Sequence, residues 1–89
     1  MAKTRKFRKF TEEPIDDKKV NEVPGVGNVL SKRLHDNGFI RAFQLYGMYL
    51  STAKNDNKFK EWLKNDFHVN PVNADRITKT FSEYAKQHN

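Results

Sequence analysis

Glycine and proline punctuate the chain at Pro14, Pro24, Gly25, Gly27, Gly38, Gly47 and Pro71, and between these positions the apolar residues return at helical spacing. No segment of useful length alternates as a half-buried strand does. The pattern confines the chain to short helices joined by tight turns. A first helix is predicted from Thr4 to Glu13, with Phe7 and Phe10 one turn apart; the residue before Pro14 avoids the α region and ends it. Asp16 or Asp17 caps a short helix from Lys18 to Val23 that sets Val20 and Val23 on one face. The next runs from about Asn28 to Asn37 with Val29, Leu30 and Leu34 as its stripe, and Gly38 stands just past its end. A fourth, Ile40 to Thr52, carries Phe43, Leu45, Tyr46, Tyr49 and Leu50, and a fifth, Asp56 to Phe67, carries Phe59, Trp62, Leu63 and Phe67. Asn70-Pro71 opens the last, with proline at the first helical position and Ile77, Phe81, Tyr84 and Ala85 along one side. The expected fold class is all-α, a compact orthogonal bundle of five to six short helices.

A chain of 89 residues makes one domain, residues 1–89, whose core alone supplies modest stability. It has no Cys, so neither a disulfide nor a thiolate zinc site can brace it. Association between chains is the remaining staple. The fourth helix is where that would occur. Its apolar residues cover more than one stripe, and Gly47 in its middle costs about 1 kcal/mol relative to Ala. Close approach of another backbone offsets such a cost, either across an interface or at a tight helix crossing within the chain.

Other functions find little footing. His35, His68 and His88 lack metal-ligand spacing, the acids Glu12, Glu13, Asp16 and Asp17 read as solvated caps, and no Ser/His/Asp set has local support. Neither an enzyme nor a bound cofactor or metal is expected of so small a chain. No apolar run approaches a membrane span, and the charged N-terminus lacks the apolar stretch of a signal peptide, so no direct membrane insertion is expected and a cytosolic or nuclear setting is.

Charge points to a polyanion. Lys and Arg number 17 against 11 acids, a formal net charge of +6. Lys3, Arg5, Lys6, Arg8 and Lys9 form a basic N-terminal arm, residues 1–10, before the first acid, Glu12. The informative stretch follows, from Val23-Pro24-Gly25-Val26-Gly27-Asn28 through Lys32-Arg33-Leu34 to Gly38-Phe39. It reads as a helix–hairpin–helix over about residues 18–38. Gly25 permits a reversal at positive φ, Val26 anchors the hairpin on the core, and Gly27 leaves room for an anion against the backbone. The first amides of the helix beginning at Asn28 lack intrahelical acceptors, and the helix dipole favours negative charge there. Together these make a phosphate seat built of main chain, with Lys32 and Arg33 a turn farther on. A seat of this kind holds a duplex backbone and reads no bases.

The ordered set Lys6, Arg8, Phe10, Glu13-Pro14, Val20, Gly25-Val26-Gly27, Val29, Leu30, Lys32, Leu34, Gly38-Phe39, Ala42, Gly47, Leu50, Phe59 and Glu61-Trp62-Leu63-Lys64 resembles the barrier-to-autointegration factor family along the whole chain. The resemblance implies that family's SAM-like all-helical fold and a homodimer whose two hairpin sites face apart, so that one dimer bridges two duplexes. It implies work in chromatin, at the nuclear periphery and also in the cytoplasm. It further implies binding of LEM-domain proteins at the dimer seam, with histones and lamins as further partners. Carried over residue by residue, DNA binding falls to Lys6, Gly25, Val26, Gly27, Asn28, Val29, Leu30, Lys32 and Arg33, the last standing where the family has Lys. At the partner and dimer surface Gly47 and Leu50 match the family, and Phe43, Tyr46, Ser51 and Trp62 are expected to share that surface with them. Thr4 is the hydroxyl in the basic arm where phosphorylation opposes DNA in the family; two added negative charges beside Arg5 and Lys6 would do so here.

The chain departs from the family at the start of its last helix, where Val72 and Asp75 replace basic residues and Arg76 is displaced by one position. It departs again at Ser51-Thr52-Ala53 and at Tyr46, and Tyr84 stands for a second Trp. These departures imply a diverged relative with a weakened outer DNA footprint. A rival reading follows, in which the chain is a protein-interaction module that pairs with a standard family member as a heterodimer. RNA binding is a third, without an aromatic stacking platform to support it.

Overall fold

The computed structural model describes residues 4–88. Its elements are α1 (Arg5–Glu12), a 3₁₀ turn (Val20–Glu22), α2 (Asn28–Asp36), α3 (Ala42–Ser51), α4 (Asp56–Phe67) and α5 (Pro71–Gln87). The fold is the all-helical one the apolar spacing predicts, and among the described residues the only β pairing is an isolated bridge between Lys19 and Arg41.

Side chains close most helix starts. Thr4 Oγ1 accepts from Phe7 N at 3.0 Å, Asn55 Oδ1 from Lys58 N at 3.1 Å, and Asn70 Oδ1 from Asn73 N at 2.8 Å. Such caps contribute about 1 kcal/mol each. At the end of α4 the chain turns through His68 at φ 56°, with Val69 N donating to Leu63 O at 3.2 Å and His68 N to Lys64 O at 3.0 Å. A histidine here fills the left-handed position that glycine usually takes.

The predicted helix from Lys18 to Val23 is a correction. Only a three-residue 3₁₀ turn forms, and neither Asp16 nor Asp17 caps it. Its flanks are pulled into the bridge instead: Val20 N donates to Ile40 O at 3.1 Å and Ala42 N to Lys18 O at 2.9 Å. The Glu22 carboxylate folds back to accept from Lys19 N at 2.7 Å.

The core centres on α5, which packs against α1 and α4. Leu34, Leu45, Phe59, Leu63, Ile77 and Phe81 are fully buried, each contributing about 1.5–3 kcal/mol. Aromatic rings join the helices: Tyr49 meets Phe59 edge-on at 5.3 Å, and Phe10 of α1 meets Phe81 at 5.9 Å. A clasp ties α1 to the end of α5. His88 stacks on Tyr84 at 4.0 Å with its Nε2 2.8 Å from Thr11 O, and Tyr84 OH accepts from Ile15 N at 2.9 Å. The described part of the basic arm is therefore a docked helix; Lys3 lies outside the described residues.

Val29 does not join the buried stripe of α2. Leu30 and Leu34, four residues apart, take the core face, and Val29, about a hundred degrees round the helix, is 67% exposed. Gly47 resolves the question left open for α3. A Cβ there would meet nothing within 4 Å, so among the described residues no helix crosses it closely. The glycine lies on open surface between exposed Phe43 and Leu50.

Candidate nucleic-acid interface

The hairpin is anchored from below. Val23 and Val26 are buried, and Val26 N donates to Val23 O at 3.0 Å, closing the turn that Gly25 enters at φ 96°. The two glycines differ in what they permit. A Cβ on Gly25 would lie 2.8 Å from Ile77 Cγ1 and 3.0 Å from Asn73 O, so this residue lets the hairpin sit directly on α5. Residue spacing gives Gly25 a turn and is silent on this packing, because the contact is with α5, far along the chain. Gly27 has ordinary extended backbone, φ −92°, and a Cβ there would meet nothing within 4 Å. The space in front of it is open.

That open space faces the start of α2. The first intrahelical bond runs from Ser31 N to Gly27 O at 2.8 Å, and the N–H groups of Asn28, Val29 and Leu30 have no acceptor among the described residues. As N-cap, Gly27 offers no side chain. The starts of α1, α4 and α5 are capped by Thr4, Asn55 and Asn70, and ahead of α3 the Gln44 side chain takes Ile40 N and Arg41 N. α3 likewise lacks a side-chain cap, but its Ala42 N donates to Lys18 O and its Gln44 N to Arg41 O, so among the described α-helices the mouth of α2 is the one whose first three amides all lack an acceptor, at the positive end of the helix dipole.

Around the mouth, Asn28, Val29 and Lys32 are exposed, and with Arg33 and Asp36 they line a shallow concavity of about 430 Å³. Leu30 faces the core, so its contribution to a bound anion is its amide. Arg33 also braces the fold. Its Nη1 donates to Phe67 O at 3.1 Å, satisfying a carbonyl at the end of α4. Lys6 lies on α1, where with Arg5, Lys9, Lys18 and Asn21 it lines a concavity of about 490 Å³ between that helix and the 3₁₀ turn leading to the hairpin.

The first turns of α5 complete the surface. Arg76 comes to the hairpin's side, its Cβ 3.3 Å from where a Gly25 Cβ would be, a neighbour that sequence spacing does not reveal. Val72 is 66% exposed. Asp75 lies between Lys60 Nζ at 3.0 Å and Lys79 Nζ at 3.1 Å. Hydrogen bonds from Lys60 and then Lys79 hold its carboxyl below the usual carboxylate range. Two ammonium groups against one carboxylate leave this patch positive.

The residues marked for a partner surface divide. Phe43, Gly47, Leu50 and Ser51 are exposed along α3. Tyr46 is half-buried against Phe81 at 5.4 Å and Tyr84 at 5.1 Å, and Trp62 is half-buried against Phe39 at 5.6 Å and Phe59 at 5.7 Å. Thr4 is exposed, with its hydroxyl serving as the α1 cap.

Residues 1–88 match the family model described as barrier to autointegration factor. The chain belongs to the barrier-to-autointegration factor family. The barrier-to-autointegration factor of Mus musculus is 40% identical over 70 residues, 79% of each chain. Barrier-to-autointegration factor 1 of Caenorhabditis elegans is 36% identical over 87 residues, 98% of each chain. The barrier-to-autointegration factor of Drosophila melanogaster is 32% identical over 84 residues, 94% of this chain and 93% of its own. Both glycines of the hairpin, its buried anchor and the uncapped helix start thus occur in a chain that this family model matches almost end to end.

Proposed function

We propose that this member of the barrier-to-autointegration factor family binds double-stranded DNA through its phosphate backbone, without reading bases, and bridges duplexes as a homodimer in nuclear chromatin. The observation that carries the reading is the mouth of α2, with three amide donors lacking acceptors and an open approach past Gly27. One phosphate of a duplex accepts from these amides. Lys32, Arg33 and Arg76 flank it, and Lys6 meets a neighbouring stretch of backbone. None of these groups distinguishes one base pair from another. The family's activity supports the same reading, and Lys60 and Lys79 offset the acid that Asp75 brings to the footprint.

Binding of this kind is checked with random-sequence duplexes at several salt concentrations. Log affinity is expected to fall linearly with log salt, with a slope near −0.9 per phosphate neutralised, and to be the same for unrelated sequences. A shallow slope, or strong preference among sequences, rejects the proposal.

Pairing of chains is assigned to α3, where Phe43, Gly47 and Leu50 make an apolar face that no element covers among the described residues. Flat exposed apolar surface of this sort marks a partner site. Its margin, with Ser51, is also where a LEM-domain partner would sit. Light scattering on the purified chain is expected to give twice the monomer mass, and Phe43→Glu with Leu50→Glu to give the monomer mass. A wild-type monomer rules out the homodimer and favours pairing with a relative.

A further inference from the structure

The bridge between Lys19 and Arg41 sets two cations side by side. Residues opposed across an antiparallel pair project to the same side, and like charges there repel. The bridge holds them so through its two backbone hydrogen bonds. Arg41 is fixed further, its N donating to Gln44 Oε1 at 2.8 Å and its Nη1 to Asp17 O at 2.9 Å. Neither side chain takes part in the salt bridges found among the described residues. Of the acids nearest in sequence, Asp17 meets Arg41 through its main-chain carbonyl and lines a different concavity with Glu13 and Asp16, and Glu22 is turned onto the Lys19 main chain and faces the concavity over α1.

A separate cavity of about 290 Å³ opens over this pair, walled also by Asn21, Ser31, His35 and Ile40. Ser31 and His35 are one turn apart on α2, so they share a face. The polar groups around the cavity are rich in donors: an ammonium, a guanidinium, a hydroxyl, an amide and an imidazole. No carboxylate lines it, whereas Glu22 stands in the wall of the concavity over α1 and Asp36 in that beside α2. Opposed cations held without a counter-ion, at a concave site, concentrate positive potential.

We propose that this cavity is a second anion site, taking a compact phosphate dianion: inorganic phosphate or the phosphomonoester of a small molecule. Lys19 and Arg41 supply the charge that the bridge holds unneutralised, and Ser31, Asn21 and His35 donate to the remaining oxygens. The site is distinct from the mouth of α2, because its donors are side chains and none of the amides of Asn28, Val29 and Leu30 is needed.

The probe is inorganic phosphate, added to isotope-labelled protein against chloride at matched ionic strength and followed by NMR. Saturable shifts are expected at the Asn21 and Ser31 amides and the His35 ring. Lys19→Gln is expected to weaken them about tenfold, the loss of one charge-assisted hydrogen bond, and Gly27→Glu to leave them unchanged. Thermal unfolding in chloride checks that each variant is folded, and His35→Gln gives the same weakening from the opposite wall if Lys19→Gln disturbs the turn. The proposal is overturned if phosphate produces no saturable shift at these residues. It is equally overturned if the shifts vanish in Gly27→Glu and persist in both Lys19→Gln and His35→Gln, which would place the ion at the α2 mouth.

Discussion

Gly27→Glu is expected to abolish duplex binding and leave the fold intact. The backbone at Gly27 is extended and open to any residue, and its missing Cβ faces empty space, so the substitution meets no steric resistance. What changes is the charge. The new carboxylate lies in front of the free amides of Asn28, Val29 and Leu30, where it can cap them itself and repel an incoming phosphate. A carboxylate in this position stabilises a helix start by about 0.3–1 kcal/mol, so the melting temperature should hold or rise slightly. Loss of charge-assisted hydrogen bonds worth about 1.5–3 kcal/mol each, with repulsion added, gives a fall of about a hundredfold or more in affinity. Fluorescence anisotropy with a labelled duplex, beside thermal unfolding, measures both. Gly27→Ala serves as the control and should bind nearly as the wild type does. Wild-type affinity in Gly27→Glu would remove the phosphate seat from the account.

Gly25→Ala should do the opposite, destabilising the protein strongly by way of packing. At φ 96° an L side chain is strained, and its Cβ would press on Ile77 Cγ1 at 2.8 Å and on the Asn73 carbonyl at 3.0 Å. Backbone strain of about 1–3 kcal/mol and overpacking of a similar size place the loss at about 2–6 kcal/mol. Domains of this size are stabilised by only about 5–15 kcal/mol in total, so the melting temperature should fall by roughly 10–40 °C. Chemical denaturation gives the free energy directly, and a loss under about 1 kcal/mol would show that the hairpin can lift from α5. The same packing bears on tests of DNA binding. A charged residue at Gly25 removes binding by unfolding the hairpin and says nothing about the seat, which is probed cleanly at Gly27.

Much of the architecture is readable from local rules. Asn70-Pro71 starts α5 and Gly38 follows the end of α2 because caps and helix stops depend on residues within one turn. The hairpin is visible for the same reason. Features that depend on distant parts of the chain are not. The stretch from Lys18 to Val23 has helical spacing, yet its backbone pairs with Ile40 and Ala42, and the pairing leaves only a 3₁₀ turn. Arg76 adjoins the hairpin through the packing of α5, and Arg33 turns toward the Phe67 carbonyl; neither relation has a signature in residue spacing. Val29 shows the limit of counting apolar residues. Val29, Leu30 and Leu34 span more than one stripe of α2, and burial goes to the pair four apart.

The stacked ring of His88, resting on the Thr11 carbonyl, means that the end of α5 returns to the first helix. From that carbonyl back to Thr4 is just under the length of α1, about 10 Å. Anything appended after α5 would begin beside the C-terminal end of α1. An acidic extension reaching back to Lys9 and Lys6 of that helix would act as a tethered decoy competing with DNA.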